Sequence, residues 1–254
     1  MYCIAGKNQC SINALEYLLK REDIDNENII VCVNEDDDGN DNWQPSLKKL
    51  SNYNYIKIFP LEDLYKIDNL YFFSLEFDKI IKTANFQTDK LFNFHFSLLP
   101  KYRGCHTNYL QIRNGEVNTG VSCHLIDDGI DSGDIIEKSM FEININDTAK
   151  DNYIKLMECA SELFIKLFDK LINGDYNLEK QDEQSATYYS RSHVNYEQET
   201  INFNQEKIKI HNEIRSLIFP PYQYPLINGV KIKKSKLVND KIILIDESMN
   251  EKEY

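Results

Sequence analysis

The chain has 254 residues, of which 42% are hydrophobic, and this is enough to bury the core of one domain or slightly more. Its 29 basic and 41 acidic side chains give a formal net charge of −12, the wrong sign for a protein that grips nucleic acid or an anionic membrane. The sequence shows no signal-peptide pattern and no apolar run near the roughly 20 residues that cross a bilayer. We therefore expect a soluble cytoplasmic protein without nucleic-acid or membrane partners.

The first half of the chain alternates short apolar strands with helical segments. A helix is predicted over 8–19, and the acidic stretch 34–40 has the composition of a solvated loop. Strands separated by short helices favour an α/β fold with an open, mostly parallel, doubly wound sheet, which binds ligands at the carboxyl ends of its strands. The predicted strands are 2–5, 29–33, 55–59, 70–74, 91–96 and 120–126.

The second half predicts a smaller C-terminal part. A long amphipathic helix over 151–171 ends at Asn173-Gly174, and a further helix over 208–218 ends at Pro220-Pro221. Alternating residues in 230–233 and 241–245, separated by Asn239-Asp240, predict a β-hairpin. We expect a catalytic domain over 1–180 and an α+β extension over 181–254, with the hairpin edge pairing two copies into a symmetric dimer.

Six cysteines are scattered along the chain, and none stands in a Cys-x-x-Cys pair. This spacing predicts reduced, mostly buried thiols and neither a disulfide framework nor a metal site. The cysteines lie at 3, 10, 32, 105, 123 and 159.

Two stretches carry candidate chemistry. In the strand that contains Asn93 and His95, side chains alternate faces, so the amide and the imidazole point the same way. Such a pair can hold the oxygen of a tetrahedral intermediate and move a proton. The loop 127–134 follows another strand, has two glycines for a tight reversal, and supplies a carboxylate that can face His95.

The motif Asn-x-His-x-Ser-Leu-Leu-Pro-x-Tyr-Arg-Gly over 93–104, followed by Gly-Ile-Asp-x-Gly-Asp-Ile over 129–135, resembles the folate-dependent formyltransferases. The resemblance covers about residues 1–225 and implies a Rossmann-like fold. It also implies that Asn93, His95 and Asp131 are the catalytic residues. No metal is implied.

Further segments are similar to the N-formyltransferases that act on nucleotide-linked amino sugars. These segments are 3–8, 13–18, 74–81 and the Ile-Arg-Ser-Leu-Ile-Phe-Pro-Pro-Tyr run over 214–222, although Gln223-Tyr224-Pro225 stands where relatives often have Pro-Gly. The resemblance implies that a folate is held by Ser74, Leu75, Glu76, Phe77, Asp78 and Lys79. Asp127, Asp128 and Gly129 either join that folate site or serve the turn. Tyr222 would stack on a base, Lys7 would meet a diphosphate, and Lys101 and Arg103 would bind phosphate or cap their loop.

The implied reaction transfers the formyl group of N10-formyltetrahydrofolate to the amino group of a dTDP-linked amino-dideoxysugar, for lipopolysaccharide or other surface glycans. Asn93 and His95 would stabilise the oxyanion, and His95 with Asp131 would manage the amine proton. We expect dTDP-4-amino-4,6-dideoxyglucose as the substrate, although the sequence leaves the sugar, the amine position and the base open.

Three alternatives remain open at this point. The chain could be a methionyl-tRNA formyltransferase, a glycinamide ribonucleotide transformylase, or a non-catalytic module that binds a folate or a nucleotide sugar. The remaining histidines carry no assigned chemistry. His124 is expected to pack or to form hydrogen bonds in its strand, whereas His106, His193 and His211 are expected at the surface.

Overall fold

A computed structural model describes residues 1–254. The chain forms thirteen strands and six α-helices, with three short 3₁₀ helices between them. The strands are β1 (Tyr2–Gly6), β2 (Ile29–Val33), β3 (Lys57–Ile58), β4 (Tyr71–Leu75), β5 (Leu91–His95), β6 (Arg103–Gly104), β7 (Asn118–Leu125), β8 (Ile135–Glu142), β9 (Tyr188–Tyr189), β10 (Leu226–Ile227), β11 (Val230–Val238), β12 (Lys241–Asp246) and β13 (Glu251–Glu253). The helices are α1 (Asn8–Leu19), α2 (Leu47–Tyr53), α3 (Leu61–Leu64), α4 (Thr107–Arg113), α5 (Ala149–Asn173) and α6 (Lys207–Ser216).

Seven strands form the central sheet, in the order β3-β2-β1-β4-β5-β7-β8. The first five are parallel, whereas β7 and β8 run antiparallel to their neighbours. This arrangement confirms the predicted α/β fold with a mostly parallel sheet. The chain moves from β1 outwards to β3 and then returns to β4 on the other side of β1, so a crevice opens at the carboxyl ends of β1 and β4.

Helices α1 and α5 cover one face of this sheet and bury the largest apolar cluster, of 27 residues. Aromatic rings dominate its centre: Phe73 and Phe92 stack with their centroids 5.5 Å apart, and Phe164 meets Phe73 and Phe94 edge on. A second cluster of ten residues fills the opposite face. Phe92 and Phe94 point into the large apolar cluster, so the alternating residues Asn93 and His95 point to the other face of β5.

Most predicted elements are present, and α1 and β2 have the predicted bounds. The prediction missed β8, which lies at the sheet edge and buries few of its side chains, so its sequence shows no clear alternation. It also missed α2, α3 and α4, which have seven residues or fewer and therefore give little helical periodicity. The predicted strand over 55–59 is reduced to the two residues of β3.

The C-terminal part contains α6 and an antiparallel sheet in the order β10-β11-β12-β13. The predicted hairpin is β11 and β12, and its turn residues Asn239 and Asp240 both adopt the left-handed backbone that a two-residue hairpin turn requires. The chain beyond 180 also returns to the first part, because β9 pairs with β6. The domain boundary at 180 therefore stays a prediction.

The six cysteines are free thiols, and all but Cys105 are buried. None of the helices combines the length and the apolar character that a membrane span requires. The side chains of the chain form no group of three or more His, Cys, Asp and Glu that could hold a metal ion.

His211 fastens α6 to its surroundings, so its expected surface position is wrong. The side chain is fully buried, with Nδ1 2.7 Å from the Ser235 hydroxyl of β11 and Nε2 2.8 Å from the Ile145 carbonyl. Because a carbonyl only accepts, Nε2 carries the proton and Nδ1 accepts from Ser235. Burial lowers the pKa of His211 from 6.5 to about 4.

We predict that this buried imidazole makes stability depend on pH. The unfolded chain binds its proton more readily, so the contribution of His211 is complete above pH 6.5 and is lost as the pH falls from 6.5 to about 4. Between pH 7 and pH 5, the wild type should lose about 2 kcal/mol more unfolding free energy in urea than His211→Gln. The exposed His193, changed to Gln, should leave the wild-type pH dependence intact, and parallel curves for wild type and His211→Gln would contradict this account.

Candidate active site

Two cavities open at the carboxyl edge of the central sheet. The first, which we call the histidine cavity, has a volume of about 430 Å³ and is lined by residues that include His95, His106, His124 and Asp131. The second, which we call the tryptophan cavity, has a volume of about 550 Å³ and includes Trp43, Phe219 and Tyr222. The two cavities share five lining residues, so they adjoin one another: Lys7, Glu76, Asn108, Tyr153 and Tyr196.

The three residues of the predicted catalytic set meet in the histidine cavity. The Asn93 amide nitrogen donates to Oδ1 of Asp131 over 3.0 Å, and Nδ1 of His95 lies 3.4 Å from Oδ2 of the same carboxylate. Asn93 and His95 come from the end of β5, whereas Asp131 comes from the loop between β7 and β8. The convergence of strand and loop that the motifs indicated is therefore present.

His124 joins this group through hydrogen bonds, whereas the sequence predicted packing or hydrogen bonding without a place in the site. Its Nδ1 lies 2.7 Å from the Leu125 carbonyl and therefore carries the proton, which leaves Nε2 to accept from the Asn93 amide nitrogen over 3.1 Å. The cross-strand register places Asn93 directly opposite His124. That register, which depends on the antiparallel pairing of β5 with β7, was the missing information.

Both ring nitrogens of His95 face oxygen acceptors. Nε2 lies 2.7 Å from the Tyr102 carbonyl, and Nδ1 faces Asp131. Because a carbonyl only accepts, Nε2 carries a proton and donates to Tyr102, whereas Nδ1 lies farther from its carboxylate than in an ordinary hydrogen bond. His95 is therefore arranged as a hydrogen-bond donor next to the cavity.

Asp131 is held as a carboxylate. Burial by itself would raise its pKa, but the imidazoles of His95 and His124 and the backbone N–H of Gly104, which donates over 2.8 Å, together bring the pKa well below its usual range. The residue has a left-handed backbone, with φ of 51°. Such a conformation at a site residue costs energy that the surrounding contacts must offset.

Gly104 is required where the two loops meet. Its φ is +89°, and a Cβ there would lie 2.2 Å from the Tyr189 carbonyl of the paired strand β9. Only glycine permits this backbone approach, which brings the Gly104 N–H to the carboxylate.

Arg103 and Lys101 lie outside both cavities, which favours the alternative that they support their loop over the prediction that they bind phosphate. The Arg103 guanidinium is buried and pairs with Glu183 and Gln181. Gln181 in turn donates to the carbonyls of Asp131 and Gly133. Arg103 therefore stabilises the catalytic loop indirectly, through Gln181. Lys101 is exposed on another surface, 3.7 Å from the Glu116 carboxylate.

Most residues of the predicted folate site line the histidine cavity, namely Ser74, Glu76, Phe77, Asp78, Lys79, Asp127 and Gly129. Leu75 and Asp128 do not. Leu75 ends β4 with its side chain in the core, and only its carbonyl takes part, by accepting from Lys7 and Ser11. Asp128 is exposed and accepts from the Thr83 hydroxyl. Apolar side chains of Ile80, Ile81, Ile126 and Ile130 complete this wall.

The tryptophan cavity brings Tyr222 into an aromatic cluster. Its hydroxyl accepts from the Trp43 indole N–H over 2.5 Å, and the Trp43 ring meets Phe219 edge on at 5.5 Å. Tyr222 remains 67% exposed, so one face is free for a ligand. Trp43, the single tryptophan of the chain, was missed because it stands in an irregular segment without a motif.

Lys7 borders both cavities and ends its side chain at an acidic partner. Its ammonium lies 2.8 Å from the carboxylate of Asp36, in the loop expected to be merely solvated.

His106, expected at the surface, is instead half-buried, with its ring nitrogens at the Tyr196 hydroxyl and the Arg191 carbonyl. The C-terminal part brings these partners to the site, and no local pattern around His106 indicates them.

Comparison with known proteins identifies the family. The model of the formyl transferase family matches residues 76–168, a range that contains Asn93, His95 and Asp131. The solved structure of WlaRD, a sugar 3N-formyl transferase in the presence of dTDP and 5-N-formyl-THF, is 42% identical, with a TM-score of 0.92 over 98% of this chain and 95% of that one. This chain belongs to the sugar N-formyltransferases.

A second sugar N-formyltransferase is as similar. The enzyme from Helicobacter canadensis, in complex with folinic acid and dTDP-3-aminofucose, is 41% identical, with a TM-score of 0.92 over 100% of this chain and 99% of that one. Among curated relatives, the methionyl-tRNA formyltransferase of Coxiella burnetii is 32% identical over 151 residues, which are 59% of this chain and 48% of that protein. The chain thus spans about half the length of the curated relatives it matches.

Membership in the sugar N-formyltransferases confirms the resemblance that the two motifs indicated. The motif residues are those that meet in the histidine cavity, whereas the tryptophan cavity lies largely outside the matched range 76–168. The sugar N-formyltransferases named above match this chain over both parts.

Proposed function

We propose that this protein transfers the formyl group of N10-formyltetrahydrofolate to the amino group of a dTDP-linked 3-amino-deoxysugar, within the supply of sugars for surface glycans. The observation that carries the proposal is that the histidine cavity, which holds the catalytic residues, adjoins an aromatic cavity of nucleotide size. The two similar sugar N-formyltransferases are described with dTDP or dTDP-3-aminofucose and with formylated folates. The 4-amino sugar expected from the sequence is not confirmed, and these relatives favour the 3-amino position.

The histidine cavity suits the folate. Its apolar wall, with Phe77, Ile81 and Ile126, offers a flat ring an apolar contact, and the neighbouring Asp127 and Asp78 offer acceptors for ring N–H groups. A pterin placed there brings its reactive arm towards His95. Leu75 and Asp128 have no part in this proposal, because their side chains lie outside the cavity.

The tryptophan cavity suits the nucleotide. A base stacked on Tyr222 gains contact area at low entropic cost, since the ring is already held by Trp43. Lys7 would exchange Asp36 for the diphosphate, because a phosphate group carries more negative charge than one carboxylate. The sugar then extends towards the residues that the two cavities share.

The chemistry follows from the hydrogen bonds around Asp131. The sugar amine attacks the formyl carbon, and negative charge develops on the formyl oxygen. The Nε2–H of His95, which donates to the Tyr102 carbonyl, stabilises that charge when it turns to the formyl oxygen. The Asn93 amide assists when one of its hydrogens leaves Asp131 or His124. The Asp131 carboxylate lies 3.4 Å from Nδ1 of His95 and orients the ring while the tetrahedral intermediate exists.

Methionyl-tRNA is the second candidate acceptor, because curated methionyl-tRNA formyltransferases share about a third of the aligned residues. The net charge of −12 and the aromatic cavity favour the nucleotide sugar. If glycinamide ribonucleotide were the acceptor, the aromatic cavity would have no ligand. If the protein only bound its ligands, the complete catalytic set would have no function. A cytoplasmic location stays a prediction.

We predict that wild-type enzyme, N10-formyltetrahydrofolate and a dTDP-3-amino sugar yield a product heavier by one formyl substitution in mass spectrometry. His95→Asn should lower turnover at least about 100-fold, because the imidazole donor is lost, while dTDP and folinic acid still bind in a thermal-shift assay. Tyr222→Ala should show the opposite pattern, with weakened dTDP binding and unchanged folinic acid binding. Product formation with methionyl-tRNA but not with amino sugars would refute the assignment.

We also propose that two copies associate through the C-terminal sheet, as the sequence suggested. Strand β10 covers the first residues of β11, and Asn146 accepts from the Leu237 backbone N–H near its other end, so the middle of the outer edge of β11 is open. Exposed apolar side chains lie at both ends of this edge, namely Leu226, Val230 and Val238. An open edge with apolar neighbours favours pairing with a second chain.

For this dimer we predict that Val238→Lys shifts the sedimenting mass towards the monomer, because a charge would be buried at the interface. The same substitution at the exposed Val117, in the first part of the chain, should leave the mass unchanged. An unchanged mass for Val238→Lys would remove the proposed interface.

A further inference from the structure

Glu76 stands at the point where the two cavities meet. It follows β4 directly, adopts a left-handed backbone with φ of 62°, and lines both the histidine cavity and the tryptophan cavity. Its carbonyl accepts from the buried Asn34 amide over 2.9 Å, which fixes this unusual conformation. A bulky residue held with positive φ is uncommon and recurs where a site needs a particular side-chain direction.

The carboxylate of Glu76 is held by one neutral donor. The Tyr153 hydroxyl of α5 donates to it over 2.5 Å, and the Asn8 amide at the start of α1 donates to that hydroxyl over 2.6 Å. No arginine or lysine forms an ion pair with it, unlike the carboxylate of Asp36. Glu76 is therefore a partly buried carboxylate that keeps a free oxygen between the two ligand cavities.

The surroundings of Glu76 favour proton uptake more than an ordinary surface site does. Burial raises its pKa, while the hydrogen bond from Tyr153 and the charges of Lys7 and His95 act in the opposite direction and Asp36 adds to the rise. Burial raises the pKa of the thiols of Cys10 and Cys105, and the charge of Glu76 adds to the rise in both.

The polar atoms around Asp131 are engaged with one another, so none of them is a free proton acceptor for an incoming ammonium. Both nitrogens of His95 face acceptors, and Nε2 of His124 already accepts from Asn93. Asp131 accepts from Asn93 and Gly104, and its pKa lies well below its usual range, which makes it a weak base. An aliphatic amine is mostly protonated near neutral pH and must lose a proton before it can attack.

We propose that Glu76 accepts the proton that the ammonium group of the sugar sheds on the way to the formyl carbon. The ammonium N–H bond breaks, the proton moves to a Glu76 oxygen, and the neutral amine uses its lone pair to form the new C–N bond as the formyl C=O becomes an oxyanion. The bond to folate N10 then breaks as the second amine proton passes to N10, which leaves the formamide and tetrahydrofolate. The proton on Glu76 leaves to solvent, so atoms and charge balance. This assignment rests on the proposed formyl transfer to an amino sugar.

The test is kcat/KM for the amino sugar between pH 6 and pH 9 in wild type and Glu76→Gln. The amide keeps the hydrogen bond from Tyr153 but accepts no proton, so kcat/KM should fall about 100-fold at pH 7. The variant must use the minor neutral amine, so its kcat/KM should rise close to tenfold per pH unit and the loss should shrink as the pH increases. Glu142→Gln, an exposed change on β8 far from both cavities, should follow the wild type.

Tyr153→Phe provides a second measurement. Loss of the hydroxyl removes a bond that favours the carboxylate, so the acidic limb of the kcat/KM profile should move to higher pH. A merely structural role of Glu76 predicts a loss for Glu76→Gln that is the same at every pH, or weaker binding of dTDP and folinic acid, and either result overturns the assignment. Wild-type activity that Glu76→Gln leaves unchanged also overturns it. A wild type that formylates no amino sugar refutes the proposed function itself, and this assignment with it.

Discussion

One carboxylate, that of Asp131, holds the catalytic arrangement together. Its two oxygens accept from the Asn93 amide and the Gly104 backbone, and both His95 and His124 face it. These partners come from β5, β6 and β7. A buried charge is costly unless it is compensated, and these contacts supply that compensation. The site therefore assembles only when strand, loop and carboxylate are all in register.

The sheet topology decides what this arrangement can act on. The strand order reverses at β1 and β4, so the residues that follow these strands, Lys7 and Glu76, lie between two cavities rather than on one surface. One cavity has catalytic groups and an apolar wall, and the other has an aromatic cluster. A reaction between two bound ligands needs such a shared boundary, because the reacting atoms must be held close together. Glu76 and Asp131 have left-handed backbones at this site, and this strained conformation directs their carboxylates into the cavities.

Local patterns predicted the fold class and the helix of 8–19, because both depend on residues close in sequence, and the resemblance to the formyltransferases implied the catalytic set. Residues whose roles depend on long-range contacts were missed or misplaced. His124 becomes part of the site through strand pairing. Arg103 instead pairs with Gln181 and Glu183, which are 78 and 80 residues further along the chain. The roles of Tyr153 in α5 and of Trp43 in an irregular loop likewise require the packed structure. A motif identified the chemistry, but it did not identify the walls of the cavities.

An ionised Asp131 stabilises the folded site. The unfolding free energy of Asp131→Asn in urea tests this most directly. The pKa of this carboxyl is lowered in the folded chain, so its contribution is present above the ordinary value of 3.8 and is lost as the pH falls below it. The account predicts that the variant is less stable than the wild type by about 1–3 kcal/mol at pH 7, because charged hydrogen bonds are lost. It also predicts that this difference narrows as the pH drops below about 4. An Asp131→Asn variant as stable as the wild type at pH 7 would contradict the account.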